Sequence, residues 1–414
     1  MVESPPRRLG PRPLPLHLMA AGLTWAFSRS ALPLWNSGSL PWKGELAERA
    51  AALRESLNGT DIGVFAKAVE REVAGRLAAL AAGVEAYRRH PYHRDLTDPP
   101  AIWQEGSCRL LDYGALADAA PAGPTVLVVP SLINRAYVLD LTAERSLLRW
   151  LARQGLRPLL LDWGSPGAEE RGFTLTDYVA GRLERALDAL RAQAAARPVV
   201  LGYCMGGLLA LGLALRRQAD LAGLVLLATP WDFHAENAPH SRMAAASLPL
   251  LSPLLEVAGE LPVDLLQTLF AGLDPHLVVR KFLAFGRLDP TSRKAVDFVA
   301  LEDWLNDGVP LAAPVARECL GRWYGENATA RGQWRLAGQA VDPAQLDLAT
   351  LCVIPAQDRI VPPASATALA EAIPGAQRLT PAAGHIGMVV SAQAERTVWQ
   401  PLLTWIRDRG AAAR

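Results

Sequence analysis

The chain has 414 residues, half of them hydrophobic, enough to bury one large core or a core with a smaller inserted domain. Its 42 basic and 41 acidic residues give a formal charge of +1, too weak a field to collect nucleic acid or an anionic membrane surface. Four cysteines at 108, 204, 319 and 352 form no C-x-x-C pair, so they indicate neither a zinc knuckle nor a disulfide framework and suit a reducing cytoplasm.

Arg7, Arg8 and Arg12 precede an apolar stretch over 14–27 that superficially resembles a signal peptide. Pro13 and Pro15 break its start, and Arg29 interrupts it before it could span a bilayer. The segment therefore reads as packed onto a cytoplasmic protein. An interfacial helix is the alternative, since Leu18, Leu23, Trp25 and Phe27 are concentrated there. Further on, Val64, Ala68, Val69, Val73 and Leu77 recur at helical spacing in an Ala/Leu/Glu/Arg-rich stretch, predicting a helical N-terminal extension over 1–98. From Ile102 the texture changes to a hairpin across Glu105-Gly106, then apolar runs at 125–129, 158–162, 198–203 and 223–228, each followed by helix-like sequence. This alternation predicts an α/β protein with a mostly parallel sheet covered by helices, its first part spanning 99–230. The alternation then stops. Residues 231–346 are Leu/Ala-rich, punctuated by proline and carry Trp304, Trp323 and Tyr324, which reads as an inserted helical cap. Sheet texture returns at 350–355 and 377–380, so 347–414 completes the core.

Residues 198–207 read Pro-Val-Val-Leu-Gly-Tyr-Cys-Met-Gly-Gly and open into helical sequence at 208–217. Strand, Gly-x-Cys-x-Gly and helix together form the pattern of a nucleophile elbow with cysteine as the nucleophile. A sharp turn leaves no room for side chains at 202 and 206, and it lifts Cys204 clear of the sheet. The thiol stands at a helix N-terminus, where the end of the dipole favours negative charge. Such an elbow predicts an acid after a later strand and a histidine after the last one. Asp358, in Ala-Gln-Asp-Arg-Ile-Val-Pro, and His385, in Ala-Gly-His-Ile-Gly, stand in those places. His385 would take the proton of Cys204, and Asp358 would fix the imidazole tautomer. The plainer alternatives are a turn residue at Asp358 and a surface loop histidine at His385. Cys108, Cys319 and Cys352 read as small buried hydrophobes. Oxyanion donors would be the backbone N–H of Met205 and that of Leu132 or Ile133 in the loop after 125–129, the alternative for the latter two being apolar packing. No G-x-G-x-x-G or G-K-[ST] follows a strand, and neither a cofactor nor a metal is called for.

Together these residues resemble the polyhydroxyalkanoate (poly-3-hydroxybutyrate) synthase family, the cysteine-nucleophile branch of the α/β-hydrolase superfamily, from about Trp103 to Val390. The specific elements are Pro130, Ile133-Asn134, Tyr137 and Leu139-Asp140-Leu141, together with the box Gly202-Tyr203-Cys204-Met205-Gly206-Gly207. Leu161-Asp162-Trp163-Gly164-Ser165-Pro166 and Leu175-Thr176-Asp177-Tyr178 are similar to the two-subunit, short-chain branch. Trp304 with Asn306-Asp307, Tyr324-Gly325-Glu326-Asn327, Asp358-Arg359-Ile360-Val361-Pro362 and Gly384-His385-Ile386 complete the likeness. Ser131, Arg359 and Val390-Ser391-Ala392 depart from the family pattern.

The resemblance implies transfer of an (R)-3-hydroxyacyl group from CoA to Cys204 and then to the hydroxyl of a growing polyester. The CoA thioester is then a substrate, and the apolar cap excludes water. Trp304 and Trp323 become candidates for gating or lining a channel, against core packing as the plainer role. The implied partners are the polyester or its granule surface, a second synthase subunit and a homodimer mate; the implied location is the cytoplasm or a polymer granule. Two readings stay open beside it: hydrolysis of polyester or acyl-CoA through the same acyl-cysteine, and a non-catalytic granule-associated homologue.

Overall fold

The computed structural model describes residues 8–120, 123–193, 196–236 and 238–412. They fall into two compact units. The larger comprises Arg94–Leu273 and Asp307–Arg414, and the smaller comprises the residues up to His93 with Asp274–Asn306.

An eight-stranded sheet organises the larger unit. In chain order its strands are β1 (Ala101–Glu105), β2 (Cys108–Asp112), β3 (Thr125–Val129), β4 (Arg157–Asp162), β5 (Val199–Tyr203), β6 (Gly223–Leu227), β7 (Thr350–Val353) and β8 (Gln377–Leu379). They lie side by side as β1-β2-β4-β3-β5-β6-β7-β8. The β1–β2 hairpin is antiparallel and β2 pairs antiparallel with β4, whereas every pairing from β4 to β8 is parallel. Every residue of β3, β5 and β6 is buried. Parallel strands covered by helices on both faces need this unbroken apolar texture, which is why 125–129 and 198–203 show no alternation in sequence. At the rims β1 and β8 expose residues to solvent.

Helices return the chain between parallel strands. Ser146 caps one of them, Leu147–Arg153, by accepting the Arg149 N–H at 3.0 Å. Helix Met205–Arg216 follows β5 and is buried from Met205 through Ala214. Because β3, β5, β7 and β8 run parallel, the loops that leave them gather at one edge of the sheet, the place where open α/β sheets bind ligands.

In the smaller unit, helix Ile62–Arg89 forms as its spacing predicts, starting at Asp61, whose carboxylate accepts the N–H groups of Gly63 and Val64. Its buried side chains are Leu80, Val84 and Tyr87, while Val64 and Leu77 are exposed. Helix Leu277–Phe285 lays Val279, Phe282 and Phe285 against that C-terminal stripe. The two helices meet closely at Gly83, where an added Cβ would overlap the Phe282 carbonyl oxygen. This pairing divides the insertion between β6 and β7: 274–306 belongs to the smaller unit, and the segments on either side belong to the larger. Helix Leu14–Ser30 buries His17 and Ala21 but exposes Leu18, Met19, Leu23 and Phe27. Arg7 lies outside the described residues. Among the described residues no helix is long and apolar enough to cross a membrane.

Candidate active site

The chain turns from β5 into its helix at Cys204, whose φ of 55° and ψ of −127° are unusual for a residue with a Cβ. Such a conformation costs about 1–3 kcal/mol and persists only where the surroundings enforce it. Here they do. A Cβ on Gly202 would overlap Gly207, and one on Gly206 would overlap the Val129 and Pro130 carbonyl groups. The Cys204 N–H is held by the Leu227 carbonyl at 2.8 Å. Cys204 is half-buried, whereas Cys108, Cys319 and Cys352 are buried. Burial pushes the Cys108 and Cys352 thiols up to about 12 and the Cys319 thiol well above its ordinary value.

Asp358 and His385 come together from the loops after β7 and β8. His385 Nδ1 lies 2.7 Å from Asp358 Oδ2, and both side chains are buried. The other carboxylate oxygen of Asp358 accepts the N–H groups of Ile360 and Val361 at 2.8 and 2.9 Å, so the acid is fixed before it orients the ring. The His385 carbonyl in turn accepts the Tyr203 hydroxyl at 3.2 Å, tying the histidine loop to the residue before the cysteine. Burial alone lowers the imidazole pKa. Negative charge on Cys204, the hydrogen bond to Asp358 and a hydrogen bond with Cys204 outweigh it and push His385 up to about 10.

The candidate oxyanion donors separate. Met205 opens the helix after Cys204, where its N–H has no intrahelical acceptor. Of the other two, the Ile133 N–H donates to Ser131 Oγ at 3.0 Å, which leaves Leu132 as the remaining candidate of that pair; the Leu132 side chain is buried in the core. Trp163 anchors the same loop by donating its indole N–H to the Pro130 carbonyl at 2.9 Å.

Cys204 and Met205 open onto a cavity of about 140 Å³ with a mostly apolar wall. Trp323 belongs to this wall and is buried, stacked on Phe233 with centroids 5.7 Å apart and meeting Trp334 edge-on at 5.3 Å. Trp304 is not part of it: it is buried in helix Arg293–Asn306 of the smaller unit. Sequence reading missed Phe233 and Tyr324 as wall residues, along with Cys319 and Arg359. Asn327 joins two wall segments: its Oδ1 accepts the Phe233 N–H at 2.9 Å, and its Nδ2 donates to Asp232 at 2.8 Å. The signal available beforehand was the aromatic pair Trp323-Tyr324 followed by Asn327, though nothing local says which strand-end they face.

The strand order and the strained residue at the β5 turn define an α/β-hydrolase-fold protein, and the family model described as alpha/beta hydrolase fold matches residues 124–392. A second model, described as Poly-beta-hydroxybutyrate polymerase (PhaC) N-terminus, matches residues 95–151. The chain is 30% identical over 315 residues to the poly(3-hydroxyalkanoate) polymerase subunit PhaC of Allochromatium vinosum, covering 75% of this chain and 88% of that one. It is 29% identical over 322 residues to the same-named protein of Synechocystis sp., covering 76% and 85%. For that of Haloferax mediterranei the identity is 28% over 318 residues, and the match spans 76% of this chain but only 64% of the relative's length. The chain belongs to the poly(3-hydroxyalkanoate) polymerase family.

Proposed function

We propose that the protein is an acyltransferase that moves (R)-3-hydroxyacyl groups from CoA thioesters, through an acyl-cysteine on Cys204, onto a growing polyester. The observation that carries this reading is a half-buried cysteine on a strained elbow, electrostatically joined to the bonded His385–Asp358 pair and opening on an apolar cavity. The Cys204 sulfur attacks the thioester carbonyl, and the oxyanion is held by the N–H groups of Met205 and Leu132. The C–S bond to CoA breaks, and His385 gives its proton to the departing thiolate. An acceptor hydroxyl then loses its proton to His385 and attacks the acyl-cysteine, forming an ester and releasing the Cys204 thiolate. Asp358 keeps the ring oriented through both steps. The apolar wall, with Trp323 in it, keeps water from the acyl-cysteine.

The thioester and the acceptor hydroxyl are the only reactants this scheme needs. The printed name of the relatives, a polymerase subunit, supports a partner subunit for this chain as well. The exposed Leu18, Met19, Leu23 and Phe27 of helix Leu14–Ser30 would let the protein rest on its own insoluble product. The experiment that tests the reaction is incubation with (R)-3-hydroxybutyryl-CoA beside Cys204→Ala, following CoA release and the acyl product.

A further inference from the structure

The wall of the Cys204 cavity is apolar except at a few places, among them the side chains of Asp232, His240 and Arg359. Arg359 is exposed while contributing to the wall, so it stands where the cavity meets solvent. An acyl thioester reaching Cys204 through an apolar cavity carries its anionic portion behind it, toward that mouth. The chain's net charge of +1 supplies no general field to draw an anion in, so a local guanidinium at the entrance acts on it directly. Arginine also presents a fork that pairs two phosphate oxygens at once.

We propose that Arg359 recognises the phosphate of the phosphopantetheine arm of the thioester substrate and so selects CoA-type thioesters over phosphate-free ones. This inference rests on the acyl-CoA reading above. Its test compares wild type, Arg359→Ala and Arg359→Lys. The first assay gives kcat/KM for the (R)-3-hydroxybutyryl thioesters of CoA, of 4′-phosphopantetheine and of N-acetylcysteamine; the second gives the calorimetric Kd for CoA itself.

In Arg359→Ala the preference for the CoA thioester over the N-acetylcysteamine thioester falls about tenfold, the scale of one charge-assisted contact. The phosphopantetheine thioester follows the CoA thioester, CoA affinity weakens by a similar factor, and Arg359→Lys keeps part of both. A preference and a CoA affinity that do not change, an equal loss on all three thioesters, or a response confined to the CoA thioester would overturn the proposal. The two readings fail separately. Cys204-dependent turnover with an unaltered preference upholds the transferase and removes the Arg359 contact. No turnover by wild type, with CoA affinity still lost in Arg359→Ala, upholds the contact and removes the transferase.

Discussion

The chemistry proposed at Cys204 rests on one side chain being unlike three others of the same type. Cys108, Cys319 and Cys352 are buried with thiols held protonated far above neutral pH, while Cys204 reaches a cavity and neighbours His385, whose imidazole is pushed up to about 10. Iodoacetamide at neutral pH is therefore expected to modify Cys204 well before the other three, and mass spectrometry of peptides over time checks this; uniform labelling would contradict it. His385→Ala removes the proton carrier for both half-reactions and should lower acyl transfer by about 10²–10⁴-fold with the fold retained. His385 itself should titrate near 10 by NMR, and its midpoint should fall toward 6.5 in Cys204→Ala and in Asp358→Asn, since each removes a negative neighbour. Its folded pKa lies above the ordinary value of 6.5. The stability its proton contributes is therefore complete below about 6.5 and is lost as pH rises through about 10.

The elements explain why that residue could be found in the sequence and why much around it could not. Strands β3, β5 and β6 are buried at every position, so each reads as an unbroken apolar run, and a run ending in Gly-Tyr-Cys-Met-Gly-Gly leaves little freedom for the turn. Gly206 is required on geometric grounds, because a methyl there would collide with backbone at Val129 and Pro130, atoms that cannot rotate away. Gly206→Ala should therefore cost about 1–3 kcal/mol of stability, measured as a lower urea midpoint, and should lower transfer as the Leu132 loop shifts. Helix Ile62–Arg89 shows the opposite case. Its period was legible, yet Val64 and Leu77 are exposed and the buried stripe lies at Leu80, Val84 and Tyr87, because a period marks a helix without naming the partner that covers it. That partner, Leu277–Phe285, lies nearly 200 residues on by the chain numbering, and no local signal splits 231–346 at that place. Likewise, what sets Leu132 apart from Ile133 as a candidate oxyanion donor is the Ser131 hydroxyl contact with the Ile133 N–H, which spacing does not reveal.

On the scale of the whole molecule, a catalytic-fold unit with an apolar cavity is joined in one chain to a helical unit that leaves apolar side chains exposed. The near-neutral charge makes burial of apolar surface, rather than ion attraction, the term that would hold such a protein to a polyester. Replacing Leu23 and Phe27 together by serine should reduce co-sedimentation with polymer granules severalfold while leaving a folded protein, since both side chains are exposed; undiminished co-sedimentation would show that this helix does not hold the surface. The central claim concerns where the acyl group goes. The most direct measurement mixes the purified protein, and Cys204→Ala beside it, with (R)-3-hydroxybutyryl-CoA, follows CoA release with a thiol reagent and collects the acyl product. CoA release that depends on Cys204 and leaves insoluble polyester is the predicted result. Release that leaves only free 3-hydroxybutyrate, or that continues in Cys204→Ala, would contradict it.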